Sequence, residues 1–486
     1  MDASQTPVLS FSYGTFRGTI GEVHVARLRL PPSGRQQPAP VLVNLHGGFW
    51  KTDWGLHNLQ TDELLRAFGS EDIATWDVEY ARVDQSDPAS SVAGGGWPHT
   101  CLDALAALNS LTELPAQVRA QLDLSRVYLC GHSAGGHLAL WLGCVSRLSA
   151  AELERLGAHV ATIAGADAGR AAQQGVNGQI HVLGVVGLAP VTSLAACAHA
   201  GLSDFHDAGC NFLWRLGPSA SAANSSGLLG AACPLSMWCD LAAQCDEDTP
   251  RLPLAAVGGA DDGGCGSVAG SVPSLSPVST TQSLPALRVL LIHGLDDTDV
   301  PSSLSLAWAA SVWSHSRPAP LWLQLLKGGD HYVVAGLTEP LAAGEREAAL
   351  AEAMAAAVAE ATDLSDGSST AKAAQSAALK ARPWALAAAA LRAFVTQDEA
   401  ALSALCCDSA AEAERLVATA TPPVQARQTL CSIATHDAQF MQRMSASPEA
   451  RDKLVRGLRR WYTWVGESPA DAILAWLDGR GERSSA

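Results

Sequence analysis

Apolar runs of strand length alternate along this chain with stretches of helical character, and that alternation leaves few architectures open. Val41–Leu45, Ala74–Tyr80, Arg126–Cys130, Val182–Leu188, Arg288–Ile292 and Leu321–Leu326 each read as a buried strand, several of them rich in Val, Ile and Leu. Asn58–Phe68, His99–Leu111, Gly136–Leu148 and Ser302–Trp313 read as the helices between them. Strand alternating with helix implies an α/β fold, a mostly parallel central sheet covered on both faces. A length of 486 residues allows one such core with material left over.

Within that frame Gly131-His132-Ser133-Ala134-Gly135 fits G-x-S-x-G and lies between an expected strand and an expected helix. A sharp strand-to-helix turn there exposes the Ser133 hydroxyl, and Gly131 and Gly135 let the chain fold that tightly. The alternative, a glycine-rich turn in which Ser133 only caps a helix, leaves the flanking strand unexplained.

A serine hydroxyl is a weak nucleophile near neutral pH and needs a base, with a carboxylate behind the base to orient it. A nucleophile on this kind of turn takes its partners in the chain order Ser, Asp, His. Three aspartates compete after the strand Arg288–Ile292: Asp296, Asp297 and Asp299. After Leu321–Leu326 comes Lys327-Gly328-Gly329-Asp330-His331, where two glycines let His331 turn inward as the base. His99, His132, His137 and His293 read as packing residues.

Acyl transfer also builds negative charge on a carbonyl oxygen, and losing one preorganised donor to it costs about 3 to 4 kcal/mol. His46-Gly47-Gly48-Phe49-Trp50 follows the strand Val41–Leu45, where such donors belong, and Ala134 supplies an N–H directly after the nucleophile.

These residues resemble the α/β hydrolases, specifically the kynurenine formamidase (arylformamidase) branch beside the esterases and lipases. In that branch the loop after the strand reads H-G-G-x-W, as His46 to Trp50 does here. The segment from His293 to Pro301 fits H-G-x-x-D-x-x-V-P, so the resemblance selects Asp297 as the acid. It also implies that the N–H groups of Gly48 and Phe49 form the oxyanion hole with that of Ala134. Further similarity lies at Tyr13-Gly14, at Val78-Glu79-Tyr80-Ala81-Arg82 and at Gly96-Trp97-Pro98 leading to Asp103. It extends over residues 10 to 335 and has no counterpart beyond 372. The activity it implies is hydrolysis of N-formylkynurenine or a related aryl formamide, with a small carboxylic ester as the other substrate. Neither a metal nor an organic cofactor is expected. A reading from another class is a non-catalytic interaction module on the same fold.

Composition bounds the rest. A net charge of −16, from 48 acidic and 32 basic residues, repels polyanions and argues against nucleic acid as a partner. No apolar run is long enough to span a bilayer, and the N-terminus lacks a charged lead into an apolar stretch, so a cytoplasmic protein without a secretory signal is expected. The 12 cysteines form no C-x-x-C pair and are expected as reduced thiols. A main domain is expected over residues 1–361, carrying an insertion at 217–284 whose Gly/Ser-rich part from Gly258 to Thr281 reads as flexible. Residues 362–371 read as a linker and 372–486 as a helical C-terminal extension. Near its end Arg456, Arg459 and Arg460 alternate with Leu454, Leu458 and Trp461. That pattern suits either a core-facing helix with a solvated basic face or a docking helix.

Overall fold

The structure, a computed structural model, describes residues 8–31, 37–57, 73–84, 94–199, 202, 208–213, 231–235, 237, 287–313, 320–335, 383–407 and 410–417. The expected helix Asn58–Phe68, the Gly/Ser-rich part of the insertion, the linker 362–371 and the Arg456–Arg460 segment lie outside these residues.

Eight strands form one sheet in the order β1-β2-β4-β3-β5-β6-β7-β8. They are β1 (Val8–Ser12), β2 (Val25–Arg29), β3 (Ala39–Leu45), β4 (Ala74–Val78), β5 (Leu122–His132), β6 (Val182–Leu188), β7 (Arg288–Gly294) and β8 (Leu321–Leu326). From β4 to β8 all neighbours run parallel, while β1 and β2 add an antiparallel edge. All six expected strands are present, and β6 and β8 have the expected bounds. The edge pair is new: its strands are short and partly exposed, so they carry no long apolar run.

Alternation along the strands divides the core between two faces. Val41, Val43, Val127, Leu129, Val289 and Leu291 point to one face, where they meet helices α1 (His99–Asn109), α2 (Ala134–Val145) and α5 (Ser303–Trp313). Between α2 and β6 lie α3 (Ala150–Ala164) and α4 (Ala166–Gln174), two helices not expected from the sequence. Leu42, Tyr128, Cys130, Val186, Leu290 and Ile292 point to the opposite face and pack on α6 (Pro383–Thr396) and α7 (Glu399–Leu405).

Two findings bear on the expected domain plan. First, α6 lies beyond the expected linker yet belongs to the sheet's own core. Phe394 is fully buried, and Gly184 of β6 makes room for it, because a Cβ there would lie 2.7 Å from the ring. Arg288 of β7 holds the same helix by donating to the Phe394 carbonyl at 3.0 Å and packing over the rings of Phe394 and Trp322. Replacing a buried phenylalanine by alanine costs about 3–5 kcal/mol, so α6 is a structural part of the domain. Second, the insertion returns to the core. Ala231, Ala232, Cys233, Leu235 and Met237 are buried, and the Ala232 and Ala231 carbonyls accept hydrogen bonds from His137 Nε2 and Trp141 Nε1 of α2 at 2.9 and 3.0 Å. Among the described residues no helix is long and apolar enough to cross a membrane.

Strand order also locates a crevice. From β3 the chain moves one way to β4, and β5 then starts on the other side of β3 and leads outward to β8. Where successive connections diverge, the loops at the carboxyl ends of the two strands separate and leave space between them. The loop after β3 is His46–Trp50, and the turn ending β5 carries Ser133.

Candidate active site

Ser133 occupies a backbone conformation of φ 56° and ψ −117°, on the side of conformational space that side chains avoid. Such a residue costs about 1–3 kcal/mol and persists only where its surroundings fix it. Here the Ser133 N–H donates to Leu188 O at 2.8 Å, and the Ser133 carbonyl accepts from the N–H groups of His137 and Val191 at 3.1 and 3.2 Å. At about 1 kcal/mol each, these bonds offset the strain. Gly131 and Gly135 are required by close approach: a Cβ on Gly131 would collide with the Gly135 carbonyl, and one on Gly135 with the carbonyls of Leu45 and His46. The helix therefore begins at Ala134, earlier than the expected Gly136.

The carboxylate side is fixed as tightly. Asp297 is fully buried, whereas Asp296 and Asp299 are half-exposed. Asp297 Oδ1 accepts the backbone N–H groups of Asp299 and Val300 at 2.9 and 2.8 Å. Its Oδ2 accepts from His331 Nδ1 at 2.7 Å and lies 3.3 Å from His293 Nε2. His293 is itself held by the Ser305 hydroxyl and the Val300 carbonyl, at 2.8 and 2.7 Å. Burial would raise the Asp297 carboxyl, but the charge of His331 and hydrogen bonds from His293 and His331 outweigh it and hold Asp297 well below the usual carboxylate range. Burial would likewise lower His331, and the Asp297 charge and hydrogen bond, with Asp299 and Asp330 nearby, reverse that and raise it.

His331 packs beside the nucleophile's own segment. Its ring centroid is 4.6 Å from that of His132, and its carbonyl lies 2.8 Å from His132 Nε2. The Ser133 hydroxyl makes no hydrogen bond within the protein among the described residues. Bonds between a catalytic hydroxyl and its base are commonly long without substrate and tighten as reaction begins.

The loop after β3 closes the third side. Gly48, Phe49 and Trp50 all have positive φ, at 99°, 49° and 56°. At Gly47 a Cβ would lie 2.8 Å from His132 Nδ1 and 3.2 Å from Ser133 Cβ, so the missing side chain lets this loop touch the elbow. Among the described residues, the N–H groups of Gly48, Phe49 and Ala134 donate to no backbone carbonyl. Trp50 is buried against Phe212 and His137, with ring centroids 4.5 and 5.2 Å away, and serves as packing.

The sequence reading missed what holds this loop. His46 Nε2 lies 2.8 Å from Glu79 Oε1, while Glu79 Oε2 accepts the Leu56 N–H at 2.9 Å. Tyr80 stacks on the His46 ring at 4.3 Å and donates its hydroxyl to the His46 carbonyl at 2.6 Å. His46 is thus an anchor of the loop. The available signal was Glu79 and Tyr80 directly after β4, two polar groups at the end of a buried strand.

Strand order and turn geometry together define an α/β-hydrolase fold, with a strained serine and a buried Asp–His pair carried by loops at the carboxyl edge of one sheet. Residues 28–209 match the BD-FAE family model, a span that takes in the His46–Trp50 loop and Ser133 but neither Asp297 nor His331. Among solved structures, an inhibited esterase B from Lactobacillus rhamnosis is 17% identical and covers 69% of this chain and 84% of its own, with a TM-score of 0.44. A truncated carbohydrate esterase from gut microbiota is 15% identical over 68% of this chain and 91% of its own, at 0.41. A carboxylesterase from Lactobacillus plantarum is 13% identical over 69% and 89%, at 0.42. Comparison with curated proteins yields no significant match. The fold class follows from the strand order and the elbow rather than from these distant likenesses.

A pH dependence follows from the Asp–His pair. A histidine that serves as a base must be neutral, and the raised pKa of His331 keeps it protonated to higher pH than an ordinary histidine. The acid limb of kcat/KM against pH is therefore expected above the ordinary histidine value of 6.5. A limb at or below that value would show that the pair is not coupled in solution.

Proposed function

We propose that this chain hydrolyses small carboxylic esters through an acyl-enzyme on Ser133. The Ser133 oxygen attacks the acyl carbon while its proton passes to His331 Nε2, and Asp297 holds the imidazole through Nδ1. The carbonyl oxygen becomes an oxyanion held by the N–H groups of Gly48, Phe49 and Ala134. Collapse breaks the bond to the leaving group, which takes the proton from His331. Water, deprotonated by the same base, then attacks the acyl-enzyme, and release of the acid returns Ser133 to its hydroxyl form. The observation that carries this reading is the 2.7 Å contact of His331 Nδ1 with a fully buried Asp297, beside a serine at φ 56°.

The second reading is an aryl formamide such as N-formylkynurenine, favoured by the His46–Trp50 loop and its fit to H-G-G-x-W. Amide cleavage makes a heavier demand on the same residues, since the departing amine must be protonated as its bond breaks. Parallel rates on short p-nitrophenyl esters and on N-formylkynurenine separate the two. The expected result is a larger kcat/KM on the ester. A larger value on the formamide moves the assignment to the second reading, and turnover of neither substrate by a folded protein counts against both.

A further inference from the structure

His132 has no part in the acyl transfer described above, yet it is the side chain through which the elbow reaches the base loop. It is 3% exposed. Because its Nε2 faces a carbonyl, that of His331 at 2.8 Å, Nε2 carries the proton and donates. Its Nδ1 therefore holds a lone pair, has no hydrogen-bond partner among the described residues and faces Gly47. The ring is wedged between the loop after β3 and the loop after β8, and it is covalently next to Ser133.

We infer that His132 is a positioning residue, fixing the main chain at His331 so that the imidazole gripped by Asp297 presents its other nitrogen to Ser133. The inference rests on the roles given to Ser133, His331 and Asp297 under Proposed function. A single hydrogen bond at Nδ1 pins one point of the ring and leaves it free to swing about that point. Anchoring the carbonyl of the same residue removes the freedom. The anchor also ties the base to the segment that carries the nucleophile, so the two move together. Burial, and then the charge of neighbouring His331, push His132 down to about 3. His132 thus stays neutral while the base works and adds no repulsion to the imidazolium that forms during attack.

The test uses three substitutions in the full chain. The amide nitrogen of His132→Gln reaches about as far as Nε2, that of His132→Asn only as far as Nδ1, and His132→Leu fills similar space with no donor. With an activated p-nitrophenyl ester, His132→Leu and His132→Asn are expected to lower kcat by about a hundredfold, the scale of a misplaced catalytic group, with KM little changed. His132→Gln is expected to recover most of the loss. In a His331→Ala background His132→Leu should cost nothing further, because the group it positions is gone. Equal kcat across the series overturns the inference. So does a loss in His132→Gln as deep as in His132→Leu, or a loss that persists undiminished without His331. Should the leucine variant fail to fold, the comparison of glutamine with asparagine decides alone. Failure of the hydrolase reading is distinct: the wild type would then show no Ser133-dependent turnover.

Discussion

Ser133→Ala is expected to lower kcat by about a millionfold, the scale on which removal of a serine nucleophile acts elsewhere. Covalent capture of a fluorophosphonate, read by intact mass, should disappear with it. Stability should not fall. The deleted hydroxyl is buried and makes no hydrogen bond within the protein among the described residues, so its loss removes an unsatisfied polar group from the interior. The three hydrogen bonds that hold the elbow are made by the backbone and stay in place. A variant that melts like the wild type yet captures no probe isolates the nucleophile from any folding effect. Undiminished capture by the alanine variant would place the reactive group elsewhere. A wild type that ignores the probe while well folded would favour a non-catalytic module.

Asp297→Asn is expected to cost about ten-thousandfold in kcat, for a reason visible in the hydrogen bonds. Oδ1 accepts two backbone N–H groups, so the carbonyl oxygen of the new amide is obliged to stay there. Its NH2 then faces His331 Nδ1, which must accept instead of donate. The proton moves to Nε2, and the base is presented to Ser133 with its lone pair on the wrong nitrogen. Removing the charge also removes the main influence that raises His331, so the acid limb of whatever activity remains should shift to lower pH. A loss under about tenfold, with the limb unmoved, would mean that His331 is oriented by something other than this carboxylate.

Legibility differed from place to place for physical reasons. The central strands announce themselves because both their faces are buried, which makes them continuous apolar runs. β1 and β2 lack that signature: at an edge, half of each strand meets water. The pair α3 and α4 did carry a sign, since Ser149 and Glu152 form a reciprocal capping box at the start of α3. Around the site, Ser133 and the glycines beside it were readable because their chemistry and their crowding demand those residue types. Chain order alone left three neighbouring aspartates open; the resemblance to H-G-x-x-D-x-x-V-P selected Asp297, and its burial and its 2.7 Å contact with His331 agree with that choice. Glu79 and Tyr80 went unread as anchors because their partner, His46, is distant in sequence and is brought near by β3–β4 pairing. His132 has the same history: its link to His331 spans 199 residues.

Composition suggested a division of the chain at 362–371, but the packing of Phe394 against Gly184 shows that the sheet is covered on one side by residues from beyond that point. Trimming a gene at the apparent seam would uncover Tyr128, Val186 and Ile292 and yield an insoluble fragment in place of a smaller enzyme. The shortest version worth expressing runs at least through Leu405, where the last turn of α7 closes over that face.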